Sequence, residues 1–164
     1  MYVYGDSSYK NLDKVHSGRG YIIFLSDGIK CCCITWNANK VYRVCTSVLQ
    51  AETMGLEDGL KHGEWLRAIV VETLFGMGSD PNLIRIVGMT DSDQLYKNMH
   101  STKYVGDHAL RLHTEVLKEK LRNGIISEIK HVPSELQLAD ALTKNGADTR
   151  LMDKVLMTGE YQFV

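Results

Sequence analysis

Residues that break regular structure are scarce in this sequence, and long apolar runs are missing from it. Only two prolines, Pro81 and Pro133, occur among 164 residues, so most of the chain is free to form helices and strands. The longest apolar runs, YIIFL and AIVV, fall well short of the ~20 residues that a membrane-spanning helix needs. The first residues also lack the basic and apolar regions of a signal peptide. We therefore expect a protein that neither enters a membrane nor is secreted.

A disulfide framework is absent as well. The four cysteines are Cys31, Cys32, Cys33 and Cys45, and three consecutive cysteines cannot form the usual spaced pairs. No C-x-x-C pair occurs with a matching pair of histidines, which excludes a zinc site of that type. Buried thiols on a strand, kept reduced inside the cell, are the simplest interpretation. The cysteine pattern thus predicts an intracellular protein.

Excess positive charge is also missing. The net charge is −1, whereas proteins that bind nucleic acids on their own obtain much of their affinity from Lys and Arg contacts to phosphates. The basic residues are unevenly distributed, because seven of them accompany four acidic residues between Lys97 and Lys130. A solvated helix face is the simpler explanation of this segment, and a surface that contacts phosphates is the alternative.

The chain begins with a strand pattern. Three β-rich runs occupy residues 2–6, 17–26 and 30–36. The turn pair Asp27-Gly28 joins the second run to the third, which predicts a hairpin and, with the first run, an antiparallel meander. A helical period starts after Ser47, a suitable N-cap residue. Glycines weaken this helix, and we expect Gly63 to divide it from a second segment, EWLRAIVVETLF.

Predicted strands and helices also alternate along the rest of the chain. Further strands are predicted at 83–90 and 125–132, and further helices at 93–100, 107–122, 136–142 and 148–158. The resulting order is β-β-β-α-β-α-α-β-α-α. This order indicates one α/β domain, 1–164, with a mixed sheet and helices layered on it.

Four acidic residues occupy unusual positions in this pattern. Asp6 closes the first predicted strand, and Asp91 closes the strand at 83–90. Glu52 lies on the apolar stripe of the first helix, and Asp140 lies inside the mostly apolar segment LQLADALTK. Active groups of α/β proteins are placed at strand ends and on adjacent helices. If the first and fourth strands are neighbours, all four side chains can reach one pocket.

Carboxylates that converge in one pocket repel each other unless a cation binds them. Divalent metal ions prefer such hard oxygen ligands. Two Mg²⁺ ions held in this way can flank a phosphodiester, where one activates a water molecule and the other stabilises the leaving oxygen. The spacing of the acids therefore predicts a metal site suited to cleaving a nucleic acid.

Several motifs occur here in the order of one family. They are GDSS at 5–8, LQAETMGL at 49–56, MTDSDQ at 89–94 and HVPSELQLADALTK at 131–144. Together with SGRGYIIFL, ITWNANKVYRV and HALRLHTEVLKEKL, they resemble the ribonuclease H domain of copia-type LTR retrotransposon Pol polyproteins, from about Tyr2 to about Gly159. The resemblance implies a ribonuclease H-like fold, with a mixed five-stranded sheet whose first three strands are antiparallel. It also implies that the domain is excised from a larger polyprotein.

The same resemblance implies an activity and a set of residues. The activity is endonucleolytic cleavage of the RNA strand of RNA–DNA hybrids during reverse transcription, with two Mg²⁺ ions, or Mn²⁺ in their place. The implied catalytic and metal-binding residues are Asp6, Glu52, Asp91 and Asp140. Three serines are candidates for minor-groove contacts that recognise the 2′-hydroxyl, with helix capping as the alternative: Ser7, Ser47 and Ser92.

A partner and a location follow from the resemblance too. A reverse transcriptase domain in the same chain would grip the hybrid and raise its local concentration, which suits the nearly neutral charge. The location would be the cytoplasm or retroelement particles within it. The loop 133–137 lacks the histidine of cellular ribonucleases H, so we expect weaker turnover. His131 precedes this loop and is interpreted as a structural strand residue.

Two other functions are alternatives to hybrid cleavage. The first is a non-catalytic module with the same fold, which serves as a structural or partner-binding domain. The second is another nuclease of the superfold, such as an integrase or a Holliday-junction resolvase, although the order of the acids speaks against it. A metal site built on histidines is weaker still, because His108 and His113 are five positions apart and do not share a helix face.

Overall fold

The computed structural model describes residues 1–12, 16–41, 45–144 and 146–163. These residues form five strands and four α-helices. The strands are β1 (Tyr2–Leu12), β2 (His16–Ser26), β3 (Cys31–Val41), β4 (Val87–Thr90) and β5 (Glu128–His131). The helices are α1 (Val48–Phe75), α2 (Asp93–His100), α3 (His108–Arg122) and α4 (Arg150–Thr158).

The strands form one mixed sheet in the order β3-β2-β1-β4-β5. β1, β2 and β3 are antiparallel neighbours, whereas β4 pairs parallel to β1 and β5 pairs parallel to β4. The turn between β2 and β3 falls at Asp27-Gly28, where Gly28 has a φ of +97° and the Asp27 carboxylate accepts the N–H groups of Ile29 and Lys30. The predicted α/β class, the mixed five-stranded sheet and its antiparallel start are confirmed.

Each face of the sheet has its own apolar core. One core lies between the sheet and helices α1, α2 and α3, and includes Leu56, Leu60, Leu95 and Leu117. On the opposite face, residues from the C-terminal part of the chain cover the sheet, among them Val132, Leu138, Val155 and Phe163. The sheet is therefore the middle of three layers, which accounts for buried apolar residues on both faces of β1 and β2.

Helix α1 runs without a break from Val48 to Phe75, so the prediction that Gly63 divides it is wrong. Its glycines lie against the sheet. A Cβ atom at Gly59 would lie 2.9 Å from both Val3 and Tyr21, and one at Gly63 would lie 3.0 Å from Val3. The glycines thus permit close approach of the helix to the strands, and that packing outweighs their low helix propensity.

The acidic segment near the C-terminus also differs from its prediction. Residues 136–142 do not form an α-helix; two 3₁₀ turns occur instead, at Ser134–Leu136 and Asp140–Leu142. Between them, the buried Gln137 side chain donates through Nε2 to the backbone oxygen of Gly5, at 3.1 Å. This contact attaches the middle of the segment to β1. Too few residues then remain on either side of Gln137 for a regular helix.

Strand β1 is longer than predicted, so Asp6 does not close it. Pairing with β2 continues past Asp6, because Ser7 lies opposite Arg19 and Ser8 lies opposite Gly18. What ends near Asp6 is the other partner strand, β4, whose last residue is Thr90. Asp6 is therefore placed beside the end of β4 within a strand that extends beyond it.

The predicted positions of the remaining helices and strands are largely confirmed. α2, α3 and α4 lie where the periodicity placed them, with Asp107 as the N-cap of α3 and Gly159, at a φ of 64°, after α4. β4 is shorter than the predicted strand at 83–90, and β5 is shorter than that at 125–132. Cys31 and Cys45 are buried as expected, but Cys32 is exposed, because neighbouring residues of a strand point to opposite faces.

Candidate metal centre

Parallel pairing of β1 with β4 brings Asp6 and Asp91 together. Tyr4 lies opposite Met89, so the register continued by two residues places Asp91 beside Asp6. Asp91 follows the last residue of β4 and precedes Ser92, the N-cap of α2. Asp91 thus occupies the carboxyl end of a parallel strand, where α/β proteins place their functional groups.

A contact between two backbones positions Glu52. A Cβ atom at Gly55 would lie 2.6 Å from the backbone oxygen of Asp6, and one at Gly5 would lie 2.5 Å from the Cα of Leu56. No side chain fits between α1 and β1 here, so the helix rests directly on the strand. Glu52 precedes Gly55 by three positions and shares its helix face, which directs Glu52 toward Asp6.

The turn at Asp140–Leu142 brings the fourth acid to the same place. Thr143 donates a hydrogen bond from Oγ1 to Oδ2 of Asp6, and Lys144 forms an ion pair from Nζ to Oδ1 of Asp140. Asp140 is half-buried, so its side chain faces the cluster and Lys144 instead of the apolar core.

Three of the predicted acids form a compact cluster. One carboxylate oxygen from each of Asp6, Asp91 and Asp140 lies within 4.8 Å of the other two. Glu52 is outside that three-acid set and is only 9% exposed. Its Oε2 atom is buried without a hydrogen-bond partner among the described residues. An unpaired buried carboxylate oxygen is rare in folded proteins and indicates a missing cation or donor.

The electrostatic environment disfavours the charged form of Glu52. Burial raises the pKa of Glu52 to about 9, and the negative charges of Asp6 and Asp91 act in the same direction. Lys144 and the backbone N–H of Ser7 oppose the shift without cancelling it. Glu52 therefore ionises at neutral pH only if additional positive charge reaches the site.

Asp6 is subject to the same conflict. Burial raises its pKa to about 6, against the hydrogen bond from Thr143 and the charge of Lys144, and the charges of Asp91 and Asp140 add to the rise. A donor set made only of carboxylate oxygens suits a hard divalent cation such as Mg²⁺ or Mn²⁺. The residues present thus fit a metal centre.

The three candidate serines have different surroundings. Ser47 and Ser92 are helix caps, since their hydroxyls accept the N–H groups of Gln50 and Leu95 at 3.1 Å and 3.3 Å. Ser7 is buried beside Asp6, and its Oγ has no hydrogen-bond partner among the described residues. Contacts of these serines with nucleic acid stay a prediction.

Sequence reasoning missed three residues of the site, namely Gln137, Thr143 and Lys144. The signal for Lys144 was its spacing of four from Asp140, which is typical of an ion pair within a helical turn. His131, interpreted as structural, is exposed at the end of β5, with Nε2 3.2 Å from the backbone oxygen of Asp91. It therefore lies at the rim of the acidic cluster.

No protein-family model matches this sequence, and no curated protein matches it. Solved structures do match its fold. The ribonuclease H1 of the halophilic archaeon Halobacterium salinarum is 20% identical, with a TM-score of 0.61, 87% of this chain covered and 92% of the other. LC11-RNase H1 in complex with an RNA/DNA hybrid is 15% identical, with a TM-score of 0.61, and the match covers 87% of this chain and 92% of the other. The chain has a ribonuclease H-like fold.

A third structure with this fold is the foamy viral protease–reverse transcriptase in complex with an RNA/DNA hybrid. It is 13% identical over 87% of this chain, with a TM-score of 0.59, and the match covers 19% of the viral protein. At such identities these similarities establish the fold alone. Within the described part of the chain, no helix combines the length and apolarity that crossing a membrane requires.

Proposed function

We propose that this chain is a metal-dependent ribonuclease H, which cleaves the RNA strand of RNA–DNA hybrids during reverse transcription of a copia-type retroelement. One observation carries the proposal. Asp6, Asp91 and Asp140 converge at the end of β4 in a ribonuclease H-like fold, and Glu52 beside them has a buried oxygen without a hydrogen-bond partner among the described residues. This arrangement suits a cation-assisted reaction at a phosphodiester.

The residues of the site would divide the work as follows. Asp6, Asp91, Asp140 and Glu52 would hold divalent cations, Mg²⁺ or Mn²⁺. The chemistry that such cations would supply there is activation of a water molecule and stabilisation of the leaving oxygen. Thr143 keeps the Asp6 carboxylate oriented through its hydrogen bond. The ligands thus come from a strand, a helix and two turns that the fold fixes in place, which limits reorganisation during the reaction.

Recognition of the hybrid would involve serines outside the acidic cluster and a second domain. Two of the similar structures contain RNA/DNA hybrids, and one of these proteins is a reverse transcriptase. Ser7, Ser47 and Ser92 would contact the minor groove, where the 2′-hydroxyl distinguishes RNA from DNA. A reverse transcriptase domain in the same polypeptide would hold the hybrid, and the site of action would be the cytoplasm or particles within it.

The decisive assay is cleavage of a labelled RNA–DNA hybrid with Mg²⁺ or Mn²⁺. Double-stranded RNA and DNA serve as controls, and Asp91→Asn serves as the inactive variant. We expect cleavage of the hybrid's RNA strand alone, and its loss in Asp91→Asn with the fold preserved. Equal cleavage by wild type and variant would remove the acidic cluster from the mechanism.

One observation favours a second candidate, a non-catalytic module. Lys144 already places a positive charge on the acidic cluster, as it would in a protein that binds no metal. Fusion to a reverse transcriptase domain separates the two candidates. An enzyme limited by substrate capture gains activity in the fusion, whereas a non-catalytic module stays inactive at any hybrid concentration.

A further inference from the structure

Lys144 is the basic residue whose charge acts on the whole acidic cluster. Its ammonium group forms an ion pair with Asp140, and its charge lowers the pKa of both Asp6 and Glu52. In return, although burial lowers the pKa of Lys144, its contact with Asp140 and the charges of Asp6 and Asp91 raise it above the ordinary value. A single ammonium group thus compensates carboxylates from four separate parts of the chain.

The position of Lys144 allows this contact to be broken. Its side chain is 42% exposed and extends from a turn, not from the sheet. A lysine side chain has a flexible stem of four carbons, so it can swing into solvent without moving the backbone. Thr143, the preceding residue, is half-buried and hydrogen bonded to Asp6, so the turn itself stays attached.

We propose that Lys144 is a built-in counter-ion of the metal centre, which holds the carboxylates together in the metal-free protein and competes with divalent cations for them. This inference rests on the proposed metal site. An ammonium group in contact with Asp140 repels a divalent cation that approaches the same oxygens. Lys144 must therefore withdraw before the cation binds, and it sets the metal concentration at which the site fills.

The competition makes two predictions that an ordinary surface ion pair does not. Replacing Lys144 should tighten metal binding, because the competitor is gone. The same change should destabilise the metal-free protein, because the carboxylates lose their compensating charge. An exposed ion pair of the same i,i+4 spacing, such as Lys97 with Asp93, contributes little to stability and lies outside the cluster.

Mn²⁺ affinity by titration calorimetry and melting temperature in EDTA test the proposal together. We expect Lys144→Met to bind Mn²⁺ ~10-fold more tightly, or about 1.4 kcal/mol. Its melting temperature in EDTA should fall by about 2–5 °C and recover in saturating Mn²⁺. Lys144→Arg keeps the charge and should resemble wild type in both measurements. Lys97→Met, the matched control, should change neither.

The possible results are distinguishable from each other. Unchanged or weaker Mn²⁺ binding by Lys144→Met overturns the competition, whatever happens to the melting temperature. Absence of Mn²⁺ binding in wild type and variant overturns the metal site and this proposal with it. Tighter binding together with no cleavage of hybrids would support the role of Lys144 and contradict only the proposed nuclease activity.

Discussion

At the scale of single residues, the contrast between Glu52 and Glu57 is the most informative feature of α1. Both are buried, at 9% and 5% exposed. Glu57 pairs with Lys61 and with His113 Nδ1, at 2.8 Å and 2.5 Å, and these partners hold its pKa below the ordinary value despite burial. Glu52 has no comparable side-chain partner within the described parts of the chain, and its pKa is raised. The charge of Glu57 is thus compensated within the fold, whereas that of Glu52 is not.

This contrast predicts opposite effects of the same substitution. Glu52→Gln should raise the melting temperature in EDTA at pH 8, because the folded wild type must keep this carboxyl protonated at a pH where the unfolded chain ionises it. The same substitution should weaken Mn²⁺ binding. Glu57→Gln should lower the melting temperature and leave Mn²⁺ binding unchanged. Thermal unfolding with and without Mn²⁺ measures both. A lower melting temperature for metal-free Glu52→Gln would show that its carboxylate has a structural partner.

The raised pKa values also predict how stability depends on pH. Asp6 and Glu52 have ordinary values of 3.8 and 4.5 and folded-state values of about 6 and about 9. The folded state therefore retains protons that the unfolded state releases. Their contribution to stability is complete below the ordinary values and is lost as the pH rises through the folded-state values.

In EDTA, the free energy of unfolding of wild type should therefore fall from pH 5 to pH 9 relative to the double variant Asp6→Asn/Glu52→Gln. Titrating groups outside the acidic cluster cancel in this difference. Denaturant unfolding across the pH range measures it, and saturating Mn²⁺ should abolish the fall. A difference that is constant between pH 5 and pH 9 would contradict the assigned environments of both acids.

At the scale of elements, the contact of α1 with β1 determines whether Glu52 reaches Asp6. Gly55→Ala places a Cβ atom 2.6 Å from the backbone oxygen of Asp6, so the helix must shift. We expect a loss of about 1–3 kcal/mol in the free energy of unfolding and weaker Mn²⁺ binding.

Gly63→Ala is the matched control on the same helix face. Its Cβ atom would meet side-chain atoms and no backbone, namely Val3 at 3.0 Å and the Met1 sulfur at 3.8 Å. The gain in helix propensity, about 1 kcal/mol, should offset much of that contact. Denaturant unfolding of both variants tests the comparison. Equal losses would show that the Gly55 contact has no special role in the site.

The elements also show where sequence reasoning succeeds. Helix ends were predictable wherever a local signal exists, as at Ser47, Asp107 and Gly159, because capping depends on neighbouring residues. The continuity of α1 could not be predicted, because tertiary contacts between its glycines and the sheet stabilise the helix. The two 3₁₀ turns were missed for a similar reason, since Gln137 bonds to Gly5 far away in the sequence.

The placement of the acids follows the same division. Their positions at a strand end and on an apolar helix stripe predicted convergence, and Asp6, Asp91 and Asp140 do converge. Of their partners, Lys144 had a signal in its spacing of four from Asp140, whereas Thr143 reaches Asp6 only through the path of the turn and could not be predicted. Asp140 is consequently paired instead of isolated, so Glu52 is the acid whose neutralisation should stabilise the metal-free protein.

At the scale of the whole molecule, the basic segment from Lys97 to Lys130 offers less positive charge to a nucleic acid than its composition suggests. Ion pairs within the protein involve three of its lysines: Lys97 with Asp93, Lys118 with Glu115, and Lys120 with Glu64. Three of the seven basic residues in this segment thus have acidic partners, which reduces the positive charge that it offers to phosphates. The isolated chain should bind hybrids weakly, and a tethered polymerase should supply the missing affinity.

Binding measured by fluorescence anisotropy tests this expectation. Whatever affinity the isolated chain has should fall steeply between about 50 mM and 200 mM salt, because it comes from phosphate contacts. Fusion to a reverse transcriptase domain should tighten binding at every salt concentration. Tight binding by the isolated chain that is independent of salt would mean that another surface recognises the hybrid.

Diffraction from crystals soaked with Mn²⁺, recorded at a wavelength where manganese scatters anomalously, tests the metal centre most directly. We expect anomalous density roughly 2 Å from carboxylate oxygens of Asp6, Asp91 and Asp140, with the Lys144 ammonium displaced from Asp140. Saturating Mn²⁺ that leaves no density there, with Lys144 still paired to Asp140, would contradict the proposed metal centre.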